Sequence, residues 1–102
     1  MLFFINESNF IIYDESLDLT TEIPFDTSNI KTFYIYKYEN TFDICFLYFN
    51  DTIKIYNKDL SIIKFSYSYD SDLIDQISNF IVFNDMLIFW IENNLFIKKI
   101  IK

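Results

Sequence analysis

A chain without a single glycine has few ways to reverse direction, and this one of 102 residues also lacks alanine, arginine and histidine. Tight hairpins need left-handed backbone, which asparagine and aspartate tolerate best once glycine is gone. Candidate turns therefore fall at Asn50-Asp51, Asn57-Lys58-Asp59, Asn84-Asp85 and Asn93-Asn94. Between such breaks, apolar residues recur with a period close to two, and β-branched and aromatic residues dominate; Phe, Tyr and Trp alone make up 22% of the chain. That spacing is the mark of strands with one or both faces buried.

The expectation is an all-β fold, an antiparallel meander of about 8 to 10 short strands. Strands are expected near residues 2–6, 9–14, 17–23, 31–38, 44–49, 52–57, 60–67, 79–84, 86–92 and 95–101. Leu17, Leu19, Thr21 and Ile23 alternate with Asp18, Thr20 and Glu22, giving one core face and one acidic face. In the strand from Lys31 to Tyr38, Phe33 and Ile35 alternate with Thr32, Tyr34, Tyr36 and Tyr38. The run from Ile44 to Phe49 is apolar on both sides, as a central strand would be. The exception is a short helical turn near 72–78, capped by Asp72 and carrying Leu73, Ile74 and Ile77 on one side.

A weak repeat runs through this pattern. Phe46-Leu47-Tyr48-Phe49-Asn50-Asp51 matches Phe80-Ile81-Val82-Phe83-Asn84-Asp85 at a spacing of 34, with Ile53 and Ile55 then falling on Leu87 and Phe89. A looser copy runs from Phe4-Ile5-Asn6-Glu7 to Leu17 and Leu19. Three hairpin or three-strand units follow, like blades of a β-propeller though without a blade signature. Three units do not normally close a ring, so one chain should form an open sheet or sandwich unless chains associate.

Residues 1–102 read as a single domain, large enough to bury about two thirds of the surface of the extended chain. The missing residue types are those with GC-rich codons, which fits an AT-rich genome. Their absence also removes chemistry: no histidine base, no Cys/His nucleophile or zinc site, and no arginine clamp or glycine loop for phosphates. Cys45 stands alone inside an apolar run and reads as a small buried side chain. The first residues carry no basic segment and meet an acid at Glu7, unlike a signal peptide. The longest apolar runs, 44–49 and 86–91, are far too short to span a bilayer, so a cytoplasmic protein is expected.

Charge is divided unevenly. Residues 1–51 hold nine acids and two lysines, whereas residues 52–102 hold six of each. Glu7, Asp14, Glu15, Asp18, Glu22 and Asp26 lie in a lysine-free stretch that either keeps an edge of the sheet soluble or docks on a basic groove. A weaker docking set combines Tyr34, Tyr36, Tyr38, Tyr67 and Tyr69 with Asp70 and Asp72. With Asp75, the last two could approach a cation, but the spacing lacks the glycine of an EF-hand loop, so no metal is assigned. Lys54, Lys64, Lys98, Lys99 and Lys102 are too few against the acids to hold nucleic acid directly, and they read as charges that blunt a sheet edge. Trp90, between Phe89 and Ile91, reads as core.

These features point to a non-enzymatic binding protein with no cofactor and no membrane contact. Its expected partner is a protein, a basic nucleic-acid enzyme that the acidic face would occlude. Anti-CRISPR proteins and toxin immunity proteins share this size and charge, though no motif of either group is present. The alternative is a structural β module whose units complete a sheet or ring as a homo-oligomer.

Overall fold

The computed structural model describes residues 1–13, 19–69 and 76–100, and there the alternating pattern is realised as ten strands. They are β1 (Leu2–Ile5), β2 (Asn9–Tyr13), β3 (Leu19–Pro24), β4 (Ile30–Tyr38), β5 (Thr41–Tyr48), β6 (Thr52–Tyr56), β7 (Ile63–Ser68), β8 (Ile77–Phe83), β9 (Met86–Ile91) and β10 (Asn94–Lys99). Every strand pairs antiparallel with its sequence neighbour, in three separate meanders: β1-β2-β3, β4-β5-β6-β7 and β8-β9-β10. The fold is all-β with open sheets. No helix among the described residues is long and apolar enough to cross a membrane.

Alternation along β4, β5 and β6 decides how the sheets stack. Phe33, Ile35, Ile44, Phe46 and Tyr56 point to one side of the second sheet and meet Phe3, Phe10, Ile12 and Ile23 of the first. Phe10 sits edge-on to Phe33 and Phe46, with centroids 5.5 and 5.9 Å apart, and Phe25 stacks on Phe46 at 5.1 Å. Cys45, Leu47, Ile53 and Ile55 point the other way, against Phe80, Val82, Leu87 and Phe89 of the third sheet. The second sheet is therefore the middle layer of three, with a separate core on each face. In β5, Ile44 to Leu47 are all fully buried, as expected of a central strand.

The second and third sheets are closest along one edge, where β4 and β8 run nearer to each other than any other strands from different sheets. Two polar links hold them there. Lys31 Nζ donates to the Ile77 carbonyl at 2.8 Å, and the Ile77 amide donates to Asp51 Oδ1 at 3.0 Å. These bonds and the full burial of its side chain place Ile77 in β8, not in a helical turn. The rest of the expected turn, residues 70–75, lies outside the described residues.

Glycine's absence shows in the backbone. Asn84 and Asp85 have φ of 50° and 58° and form the two-residue loop between the paired residues Phe83 and Met86. Asp51 also carries positive φ, as do Glu39, Leu60 and Glu92, which the sequence did not single out. Leu60 belongs to a longer turn built by Asn57, whose Oδ1 accepts from the Ser61 and Ile62 amides at 2.9 and 3.1 Å. Those bonds hold residues 57–62 off the ladder, which is why β7 starts at Ile63, later than the expected residue 60.

The matched segments fall on successive antiparallel strands, but the middle meander has four strands instead of three, β4 lying outside the matched segment, and the register slips by one residue. Phe46 and Phe80 both face the preceding sheet. The β5–β6 connection pairs Leu47 with Ile53, a longer loop than the Phe83–Met86 hairpin. Ile53 consequently faces the third sheet while Leu87 faces back to the second, and the two are not equivalent.

Candidate functional site

Among the described residues, a stack of three sheets leaves one face of each outer sheet without a layer over it. In the third sheet, Leu87, Phe89 and Ile91 turn inward, so Met86, Ile88 and Trp90 turn outward. Register extends this into three rows across the sheet: Asn79, Trp90 and Leu95; Ile81, Ile88 and Ile97; Phe83, Met86 and Lys99. Phe83, Leu95 and Ile97 are 57%, 54% and 58% exposed. Seven of these nine positions are apolar, a density normally reserved for a surface that something covers. Trp90, expected in the core, is half-buried on this outer face, because β9 is apolar on both sides and its parity is set by register.

The outer face of the first sheet is smaller and mixed. Leu2 pairs with Tyr13, and Phe4 with Ile11, which in turn pairs with Glu22. The Phe4 and Tyr13 rings meet edge-on at 5.7 Å, and Leu2 and Phe4 remain about half exposed. Glu22 stands exposed in the Phe4 row and Glu7 is exposed in the β1–β2 turn. Asp26 is exposed just beyond β3, and its Oδ1 accepts from the Ser28 hydroxyl at 2.7 Å and amide at 3.1 Å, which holds its carboxyl below the usual carboxylate range. Asp14, Glu15 and Asp18 lie outside the described residues, as do Asp70 and Asp72. Among the described residues the first sheet and its turns hold two acids, Glu7 and Glu22, and no lysine, while the third sheet and its turns hold Asp85, Glu92, Lys98 and Lys99.

The tyrosines of the second docking set take part in packing. Tyr34, Tyr36, Tyr67 and Tyr69 lie half-buried against the core between the second and third sheets, with Tyr67 and Tyr69 ring centroids 5.6 and 6.0 Å from Phe89. Tyr38 closes a polar cluster at the end of that core. Lys64 Nζ donates to Asp43 Oδ1 and to the Tyr38 hydroxyl, each at 2.8 Å, and the Tyr38 hydroxyl donates to Asp43 Oδ1 at 3.1 Å. Lys64 reaches this side because the β6–β7 ladder shifts register between Ile55 and Tyr56, leaving Lys64 between the paired residues Ile63 and Phe65. Asp43 was not singled out from the sequence. The available signal was its parity, which puts it on the same face of β5 as Cys45 and Leu47.

The other lysines are dispersed: Lys54 lies over the Tyr48 ring, Lys98 over Tyr67, and Lys99 on the outer face of the third sheet. Burial, reinforced by Asp43, pushes the Cys45 thiol well above its ordinary pKa and keeps it protonated and unreactive. Among the described residues no three acidic or thiol groups converge as a metal ion would require. A surface depression between the β1–β2 turn and the loop after β3, lined by Ile5, Asn6, Glu7, Thr27 and Ser28, holds one carboxylate.

No protein-family model, curated protein or solved structure matches this chain.

Proposed function

We propose that the protein acts by protein contact, docking through the outer face of its first sheet onto a basic surface of a nucleic-acid enzyme inside the cell and occluding it. The observation that carries this reading is the combination on one face of an uncovered apolar centre, Leu2, Phe4, Ile11 and Tyr13, with Glu22 among it and Glu7 at its margin. A desolvated aromatic centre with a charged rim is the anatomy of a docking surface, the centre holding the complex and the rim choosing the partner. Acids around it raise the rate of encounter with a basic groove and compete there with phosphates.

The test is competition. The immobilised protein is used to draw a nucleic-acid-binding enzyme from host lysate at low salt, and the purified enzyme is then assayed for nucleic-acid binding with the wild type and with Phe4→Lys. Wild type should displace nucleic acid, less strongly as salt rises, and Phe4→Lys should need at least about tenfold more protein, the loss expected for one central anchor. Equal potency of the two proteins, or capture without displacement, would refute occlusion through this face.

A further inference from the structure

The first sheet ends on one side at β1, and β1 differs from every other edge strand among the described residues. β3 carries Glu22 and closes on Pro24, β7 takes in Lys64 at a bulge, β10 carries Lys98 and Lys99, and β4 and β8 run beside each other. Charges, proline, bulges and neighbouring strands are the devices that keep an edge from pairing. β1, Leu2-Phe3-Phe4-Ile5, has none of them and lies in unbroken register with β2. We infer that an extended segment of the partner protein adds to this edge as a fourth strand of the first sheet. This rests on the docking reading above and supplies the main-chain half of the same interface.

The ladder shows which groups are free. The Asn6 amide donates to the Asn9 carbonyl at 3.1 Å. Bonded pairs alternate along an antiparallel ladder, so Phe4 bonds with Ile11 and Leu2 with Tyr13. The amides and carbonyls of Phe3 and Ile5 therefore point away from β2, and among the described residues no strand lies there to take them. Such a row is complementary to one kind of ligand, a chain in extended conformation.

Side chains supply the selectivity. Phe25, just beyond β3, lies on Phe46 of β5 and Tyr56 of β6, while Phe10 of β2 lies on Phe33 of β4 and on Phe46. β1 is therefore on the β4 side of the stack. There Phe3 and Ile5 of the first sheet and Phe33 and Ile35 of the second are only half-buried, so the core between the two sheets is incompletely covered along this side. Every second side chain of an added strand would face that gap, and apolar ones would complete the core. The side chains between them would lie beside Leu2 and Phe4 and widen the outer face. An edge of four residues makes a short contact, so the edge alone should bind weakly and the outer face should add to it.

The probe is a displayed library of random short peptides selected on the full chain, so its outcome does not depend on whether the partner is a nucleic-acid enzyme. Retained peptides should carry apolar residues at alternate positions. When they bind, hydrogen exchange at the Phe3 and Ile5 amides should slow by at least about tenfold. A chain N-methylated at Phe3, assembled by ligation at Cys45 and then folded, loses an edge amide but no bond to β2. It should keep its circular dichroism and lose the peptides. Retention of no peptide, binding that leaves both amides unchanged, or equal binding by the N-methylated chain would overturn the inference. Pairing of β1 with a second copy in the absence of peptide would overturn it as well. Occlusion through the outer face keeps its own test in nucleic-acid competition, so the two readings can fail separately.

Discussion

The Asp43 side chain is 2% exposed while that of Lys64 keeps 27% of its surface in water, so the two halves of this ion pair should respond differently to mutation. Lys64→Met strands a buried carboxylate with the Tyr38 hydroxyl and should cost about 3 kcal/mol, whereas Asp43→Asn leaves an ammonium that can turn to solvent and should cost about 1 kcal/mol. Urea denaturation of the two variants separates these cases, and equal losses would refute the asymmetry. The same group gives a pH dependence. The hydrogen bond that Lys64 donates to Asp43, aided by the one it donates to the Tyr38 hydroxyl, raises the Lys64 pKa above its ordinary value. Between the unfolded and folded values only the native state keeps this proton, so its stabilisation is complete below pH of about 10.4 and declines above it. Tyr48 adds to the decline, since burial and its hydrogen bond with Tyr56 raise its pKa and the unfolded chain ionises first. Stability should therefore fall above pH of about 10, and less steeply in Lys64→Met. None of this was visible in the sequence, where Lys64 looked like an edge charge, because the bulge that turns it inward is a property of the paired strands.

At the scale of single elements, glycine's absence leaves a correctable strain. Glu39 opens the two-residue loop between Tyr38 and Thr41 with φ of 50°, at a position where hairpins normally carry glycine. Glu39→Gly should raise stability by about 0.5 to 1 kcal/mol, the left-handed penalty outweighing the added freedom of the unfolded chain. A loss of stability in thermal or urea unfolding would show that the Glu39 side chain makes a compensating contact. Turns were legible where Asn and Asp supply the left-handed residues, as at Asn84-Asp85, and illegible at Glu39, Leu60 and Glu92, where the chain uses whatever residue the connection delivers. Strands were legible by period, and their ends were not. Asn57 delays β7 through bonds to Ser61 and Ile62, and Asp51 recruits Ile77 into β8 from another sheet. Such bonds join residues that only the folded chain brings together.

At the scale of the whole molecule, the antiparallel meander could be read from the strand pattern, but the fourth strand of its middle sheet and the side on which each sheet would be covered could not. β9 is apolar at every position, so nothing in its sequence tells Phe89, which is buried, from Ile88 and Trp90, which face outward. The acidic first half was equally plain, but that its described acids Glu7 and Glu22 lie beside an exposed apolar face at one end of a stack was not. Layer order also predicts amide exchange. β5 and β6 are paired on both edges and covered on both faces, so their amides should exchange slowest, close to the global unfolding limit. β10 and β7 are both edge strands with exposed apolar residues, Leu95 and Ile97 on one and Ile63 on the other. Amides on these two edges should therefore exchange well before those of β5 and β6, and equal protection of edge and central strands in hydrogen-exchange measurements would refute the layer order.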